Sequence, residues 1–400
     1  MTIKRRKVTL EVETRGSGLP DVRILVPAPK PVTVEPYEPS GKVHALPPGV
    51  KESLFLGTYK SREELEKDVD FWDATTAGQY AWCPRHAMYS QEIGLVPIEE
   101  QLQLDAGNAM HAALHTLYVS GDSDLGLGML RHVFDPTGKR EPPGPNHGYA
   151  HLHLGLLEVV YKNYLPWSKT HDAFKPVIIR FDELDLTDVV AAVWQVLDDG
   201  RVILGESKIV MRFDVDGEEF IYSGKPDLPI FLGGSYYIMD HKTSCGGYLS
   251  DWYFAKHQIS NQLRGYCKMI EKLLSKVLAK KGIRGLAGAY INGVYAGDKA
   301  TTADPKSKLT RFSRFGPLKF FPSHLDEAIV NQWAWRQMRE VYRELAKSSP
   351  SLRKFGWPQN TGKSCQGCPF LEKLCQVMPK ARQGNMLKHF TVEKRRFLDL

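Results

Sequence analysis

The sequence has no apolar run approaching the roughly 18 residues that a membrane-spanning helix requires. Residues 1–7, MTIKRRK, are basic with no apolar stretch behind them, so no secretory leader is expected and the protein should stay in the compartment where it is made. Cysteine is scarce, six in 400 residues, which excludes a disulfide-stapled secreted scaffold. Neither sign of charge dominates: 53 lysines and arginines stand against 46 aspartates and glutamates, a net charge of +7. That mild excess, with an isoelectric point near 8.9, favours a polyanionic partner without identifying one. No internal repeat is present. What is there, 400 residues that are 42% apolar, can bury a substantial core as one large or two modest domains.

Residues 1–60 are basic and interrupted by Pro27, Pro29, Pro31, Pro36, Pro39, Pro47 and Pro48, a composition that resists regular packing. They read as an arm or linker with one early strand at about 8–13, and the folded domain is expected over 61–400. Ser61-Arg-Glu-Glu64 is a capping box that opens a short helix, and Thr75 or Thr76 can cap a second one carrying Tyr80, Trp82 and Cys83. A third helix at about 99–119 carries His111, and a Pro/Gly-rich loop at 135–148 separates it from a helix at about 152–164. The period then changes. Residues 177–181 and 202–243 are β-branched and alternating between tight glycine turns, the pattern of antiparallel strands. A helix at about 252–280, a strand at 287–294, a basic loop at 299–314 and a helix at 323–347 follow. The fold class is α/β: a mixed sheet with antiparallel hairpins, flanked by helices.

Two turns set the register. Gly233-Gly234 and Asp216-Gly217 are both of the kind that closes a two-residue hairpin. With Gly233-Gly234 as the loop, Leu232 faces Ser235, and counting back along both strands sets Asp227 opposite Asp240. With Asp216-Gly217 as the loop, the same count sets Glu206 opposite Asp227, unless the loop at 215–218 is longer; a bulge at Pro226 would shift the first register. Carboxylates opposed on one face lie about 5 Å apart at Cβ and repel unless a cation compensates. Oxygen ligands in small number suit Mg²⁺ or Mn²⁺ better than zinc. Lys242, two residues beyond Asp240, shares its face and can reach the phosphate or the attacking water. This is a phosphodiesterase in outline.

These residues resemble the PD-(D/E)XK nucleases, in particular their RecB-like branch. The match is Gly224-Lys-Pro-Asp227, then Asp240-His-Lys242, with Gln262-Leu-Arg-Gly-Tyr266 on the following helix and His111 on an earlier one. An acid-x-lysine triplet alone is more often a solvated strand edge; the order and spacing of four elements sets this one apart. The resemblance implies a restriction-endonuclease-like core in which His111, Asp227, Asp240 and the main-chain carbonyl of His241 bind the metal. Lys242 would assist the water, and Gln262 and Tyr266 would contact nucleic acid. Asp240 stands where many members have glutamate. Glu206 is a further metal ligand or a supporting carboxylate, and His111 with His115 is also the spacing of half a zinc site.

Cys365, Cys368 and Cys375 form a C-x₂-C-x₆-C set that can converge on one metal centre, with Cys83 in Trp82-Cys83-Pro84 as the candidate fourth ligand. The resemblance extends to this set, because iron–sulfur members of the branch pair one cysteine before the nuclease core with three after it. Such members include CRISPR-associated Fe–S exonucleases and nuclease subunits of bacterial helicase–nuclease repair complexes. It implies a [4Fe–4S] cluster stapling the N-terminal helix to the C-terminal segment; four-cysteine zinc is the rival. Cys245 and Cys267 read as ordinary buried thiols. Lys225, Tyr248, Trp252, Tyr253, Lys256, His257 and Arg264 recur around the site and suit single strands, whose bases stack while phosphates are neutralised. The expected activity is cleavage of DNA at single strands or ends, in the cytoplasm of a prokaryotic or phage-infected cell. The other class left open is an Fe–S scaffold that binds nucleic acid and works through a helicase, integrase or recombination partner without cutting.

Overall fold

A computed structural model describes residues 11–13, 21–23, 35–36, 46–47, 49–98, 101–140, 149, 151–246, 249–297, 311–360, 365 and 368–392. The chain divides into Met1–Val34 and Glu35–Leu400. In the first, β1 (Glu11–Glu13) and β2 (Asp21–Arg23) pair antiparallel.

The second unit begins with β3 (Glu35–Pro36), β4 (Val50–Phe55), α1 (Arg62–Asp68), α2 (Ala74–Trp82), α3 (Pro84–Ala87) and β5 (Leu95–Pro97). Three helices follow, α4 (Leu102–Ser120), α5 (Ser123–Phe134) and α6 (Leu154–His171). The strands β6 (Lys175–Pro176), β7 (Ile178–Arg180), β8 (Val189–Leu197), β9 (Arg201–Val215), β10 (Glu218–Gly224), β11 (Leu228–Leu232) and β12 (Ser235–Ser244) come next. The chain then runs through α7 (Asp251–Ala255), α8 (Asn261–Leu273), α9 (Ser275–Lys280), β13 (Gly288–Tyr295) and β14 (Phe312–Leu318). It closes with α10 (Pro322–Ser348), α11 (Pro350–Phe355), α12 (Pro379–His389) and β15 (Phe390–Val392). Among the described residues, no helix is long and apolar enough to cross a membrane.

The fold is mixed α/β with antiparallel hairpins flanked by helices, as the sequence predicts, but the strands divide between two main sheets. One has the order β10-β9-β8-β4-β3, with β7 also on β9; the other has the order β14-β13-β12-β11-β6. The ladder between β12 and β13 is parallel. A parallel step needs a long crossover, which α7, α8 and α9 supply where one continuous helix was expected.

Turn chemistry set both hairpins. Asp216, Gly217, Gly233 and Gly234 all have positive φ, between +53° and +84°, as the tight turns of two-residue hairpins require. Val215 pairs with Glu218, and Leu232 with Ser235, in the expected registers. Ser61 caps α1 by accepting from the Glu64 amide at 3.3 Å, while the α2 cap is Asp73, which accepts from Thr76 at 2.6 Å, rather than either threonine. β8 carries no alternation that would mark it as a strand, because its residues are almost all apolar. The structure supplies the reason. One face of β8 joins the main core through Ala192 and Trp194, and the other packs under Leu65 of α1 and Val69 just beyond it, so both faces are buried. β4 pairs with β8 over its whole length, so residues 50–55, assigned by composition to the arm, are a sheet strand.

The long helix α10 is tied down by charge. Arg339 is buried with its guanidinium 5.0 Å from the Trp72 ring centre, and Asp70 accepts from its Nη1 at 3.1 Å. Burial pushes the Asp70 carboxyl up, but Arg339 and Arg336 outweigh it and hold the group below its ordinary range. A depressed folded pKa contributes stability above the unfolded value near 4 and loses it as pH falls through the lower folded value. Asp70→Asn should therefore cost about 1–2 kcal/mol at pH 7, a figure kept small by the partial exposure of Asp70. Denaturant unfolding at a series of pH values should show the gap from the native chain narrowing below about pH 4.

Candidate functional site

The β11–β12 hairpin places the first pair of acids. Leu228 pairs with Met239, so Asp227, just before β11, and Asp240 on β12 flank the end of that ladder. Both are buried, and the His241 amide donates to Asp227 Oδ2 at 2.7 Å. Lys242 lies on the Asp240 face, with Nζ 2.9 Å from Oδ1 and 2.7 Å from Oδ2.

Glu206 arrives by a different route from the one expected. The β9–β10 ladder keeps its register as far as Gly224 opposite Ile209, and the β8–β9 ladder shifts between Val193 and Gln195. Glu206 sits in that irregularity with φ +56°, and its amide donates to the Pro226 carbonyl at 2.8 Å. The regular register therefore does not carry Glu206 to a position opposite Asp227; a bulge does the work instead. Gly205 makes the bulge possible, because a Cβ there would lie 2.8 Å from the Asp227 carbonyl oxygen and 3.3 Å from His115 Cε1. An L side chain at φ +56° is strained, and such strain concentrates at functional sites.

The result is a close group: one ligand atom each from His111, Glu206 and Asp227, all within 4.8 Å of one another. His111, half-buried on α4, has Nδ1 3.6 Å from Asp227 Oδ2. Burial leads in holding the His111 imidazole below its usual pKa, so it is neutral, the form that ligates metals. His115, one turn further, is turned away: its Nε2 bonds Gln195 Oε1 at 2.8 Å, and it does not join this group. Burial, then the neighbouring Asp240 charge, push the Asp227 carboxyl well above the usual carboxylate range. Burial acts the same way on Glu206, but the ion-paired Lys225 outweighs it and holds that carboxyl low. Burial would lower Lys242, and Asp240 and Asp227 outweigh it, so the amine is raised and protonated.

Behind β12 lies a buried polar network that no local signal in the sequence marks. Arg314 of β14 ion-pairs with Asp172, and its Nη2 donates to Asn292 Oδ1 at 3.2 Å and to Tyr164 Oη at 3.3 Å. Asn292 Nδ2 donates in turn to Tyr164 Oη at 3.0 Å and to His241 Nδ1 at 2.9 Å. Arg314 can only donate, which fixes the Asn292 amide, and that amide fixes His241 with its proton on Nε2. His241 is thus clamped between Asp240 and Lys242. Asn292→Ala should leave the buried His241 Nδ1 without its donor, while Arg314 and Tyr164 keep each other, and cost about 1–3 kcal/mol of stability, read by thermal melting.

Gln262 and Tyr266 share one face of α8, with Nε2 donating to Oη at 3.0 Å. A Cβ at Gly224 would meet the Tyr266 ring at 2.9 Å, so that glycine lets α8 close on the Lys225-Pro226-Asp227 turn. Two residues expected to face nucleic acid are otherwise engaged: Lys225 with Glu206, and Arg264 with Glu327 of α10 at 3.2 Å. Tyr248 and the Trp252 side chain lie outside the described residues.

Cys83 joins α2 to α3, and the C-terminal segment docks there: the Arg85 amide donates to the Pro358 carbonyl at 3.0 Å, and Asn360 Nδ2 to the Trp82 carbonyl at 2.7 Å. Cys368 and Cys375 are half-buried against the apolar cluster of Tyr89, Leu95, Phe370, Leu374 and Phe390. Burial leads in pushing the Cys368 thiol up; the Phe370 backbone hydrogen bond opposes it, and Cys375, Cys83 and Cys365 add to the rise. Cys245 and Cys267 are buried thiols elsewhere in the core.

A family model described as the PD-(D/E)XK nuclease superfamily matches residues 72–376. No curated protein sequence matches the chain. The solved structures include the crystal structure of SSO0001, 12% identical over 72% of this chain and 91% of that one, with a TM-score of 0.29, a likeness too slight to argue from. The matched family span starts at Trp72 beneath α10, ends one residue past Cys375 and takes in the whole of the acid–lysine group, so the chain belongs to the PD-(D/E)XK nuclease superfamily.

Proposed function

We propose that the protein is a Mg²⁺- or Mn²⁺-dependent deoxyribonuclease that works as an exonuclease on single strands or strand ends. Membership of the superfamily implies a metal-dependent nuclease, a phosphodiester hydrolase with a nucleic-acid substrate. The observation that carries the finer reading is the convergence of His111, Glu206 and Asp227 beside the Asp240–Lys242 pair. Two carboxylates and a neutral imidazole fit a hard divalent ion, and the raised Asp227 pKa marks a place short of positive charge. When bound, the ion supplies Lewis-acid charge at a phosphoryl oxygen and acidifies water. His111, Asp227, Asp240 and the His241 carbonyl would hold it, with Glu206 as a further ligand or a supporting carboxylate. Lys242, being protonated, donates a hydrogen bond to the phosphate or steers the water rather than acting as a base. Gln262 and Tyr266 contact the strand.

Cys83, Cys365, Cys368 and Cys375 are assigned a [4Fe–4S] cluster whose role is to staple α2 and α3 to the C-terminal segment, with zinc as the rival metal. Reduced thiols of this kind fit a cytoplasmic setting.

The test is direct. End-labelled single-stranded DNA, duplex DNA and RNA are incubated with cluster-loaded protein and Mn²⁺, Mg²⁺ or chelator. Progressive shortening of single strands with either ion, lost in chelator and in Asp240→Ala, is expected. Folded, loaded protein that leaves every DNA form intact would sink this reading and leave a binding scaffold for a helicase or integrase.

A further inference from the structure

Helix α7 packs where β13 has least bulk. Gly293 pairs with Lys242 across the parallel ladder, and residues paired in this way point to the same face. A Cβ at Gly293 would lie 2.9 Å from the Phe254 ring and 3.1 Å from Leu249, so α7 rests on the face that carries Asp240 and Lys242, at their level. Phe254 also stacks on Phe315 of β14, with centroids 5.1 Å apart, which fixes the helix in place. Beside it, the Tyr253 ring lies under the Lys256 ammonium at 4.3 Å and edge-on to His257 at 5.8 Å. His257 is only 9% exposed and its Nε2 has no hydrogen-bond partner. Lys225, Lys242 and Arg264 each have a carboxylate partner, whereas Lys256 has none among the described residues.

We infer that Lys256 and His257, held by the Tyr253 ring, bind an internal phosphate of the nucleic-acid strand adjacent to the phosphate at Lys242. The inference rests on the nuclease reading above. Burial and then the Lys242 charge hold the Lys256 amine below its usual range. Burial, with Lys242 adding to it, lowers His257 to about 4, so at neutral pH it offers an uncharged imidazole. A cation on an aromatic face beside a neutral donor suits one strand phosphate of any sequence.

Binding can be read without cleavage, by anisotropy of labelled oligothymidylate on the full-length protein in chelator. Lys256→Gln should weaken binding about five- to tenfold near 0.1 M salt and reduce the slope of log K against log salt by about 0.7, the share of one single-strand phosphate. Lys256→Arg should restore both, and His257→Phe should weaken binding with the slope unchanged. Native protein that binds while Lys256→Gln matches it in affinity and slope would overturn the inference and leave the nuclease reading standing. Native protein that binds no strand would overturn both. An effect confined to 5′-phosphorylated strands would overturn the internal assignment in favour of a terminal phosphate.

Discussion

Asp227→Asn is expected to abolish cleavage, by at least about 10³-fold, while leaving the metal-free protein as stable as the native chain or more stable by about 1 kcal/mol. Buried Asp227 stands near Asp240, whose charge helps push its carboxyl up, and like charges on one sheet face cost stability. Asparagine keeps the shape and can still accept from the His241 amide, now at 2.7 Å, without the charge. Lys242→Met should be equally inactive and move stability the other way. It leaves Asp240, only 3% exposed, without its ammonium, at a cost of about 3–5 kcal/mol. Opposite shifts in melting temperature under chelator, with both variants dead, are the signature of a site built against stability. Normal cutting by either variant would remove it from the site, and a steep loss of stability in Asp227→Asn would refute the like-charge account.

Cys375→Ser, purified without oxygen, should lose the brown absorption near roughly 400 nm that the proposed thiolate-held iron would give the native protein. A cluster held by Cys83, Cys365, Cys368 and Cys375 would close a stretch of chain spanning most of the folded unit, and losing that link should cost about 3–5 kcal/mol. Iron and sulfide analysis, absorption and melting read the result together. Colourless native protein carrying one zinc per chain would replace the cluster by the rival metal, and native protein with neither metal would end the assignment.

Much of the site was legible because its first half is local. Gly233-Gly234 permits one tight turn, and from it the facing of Asp227 and Asp240 follows by the two-residue period of a strand. Gln262 and Tyr266 were legible for the same reason, four residues apart on one helix. Glu206 was approached by a register that holds as far as the Ile209–Gly224 pair; beyond it the chain leaves the ladder and a bulge places Glu206. The strand β8 was missed because its alternation vanishes when α1 covers its second face. Lys225 and Arg264 looked free to meet phosphate because their carboxylates, Glu206 and Glu327, come from other elements.

The sequence by itself determined the superfamily, the α/β class and the order Asp227, Asp240, Lys242, since turn type and strand period act over a few residues and need no partner. Only the tertiary structure decided that Glu206 and His111 meet Asp227, and that Asn292 and Arg314 clamp His241. It also decided that Lys256 has no carboxylate partner among the described residues. Those outcomes depend on segments far apart in the chain, such as Arg314 and Asp172, whose meeting is set by how helices and sheets share one core rather than by any preference of the residues between them.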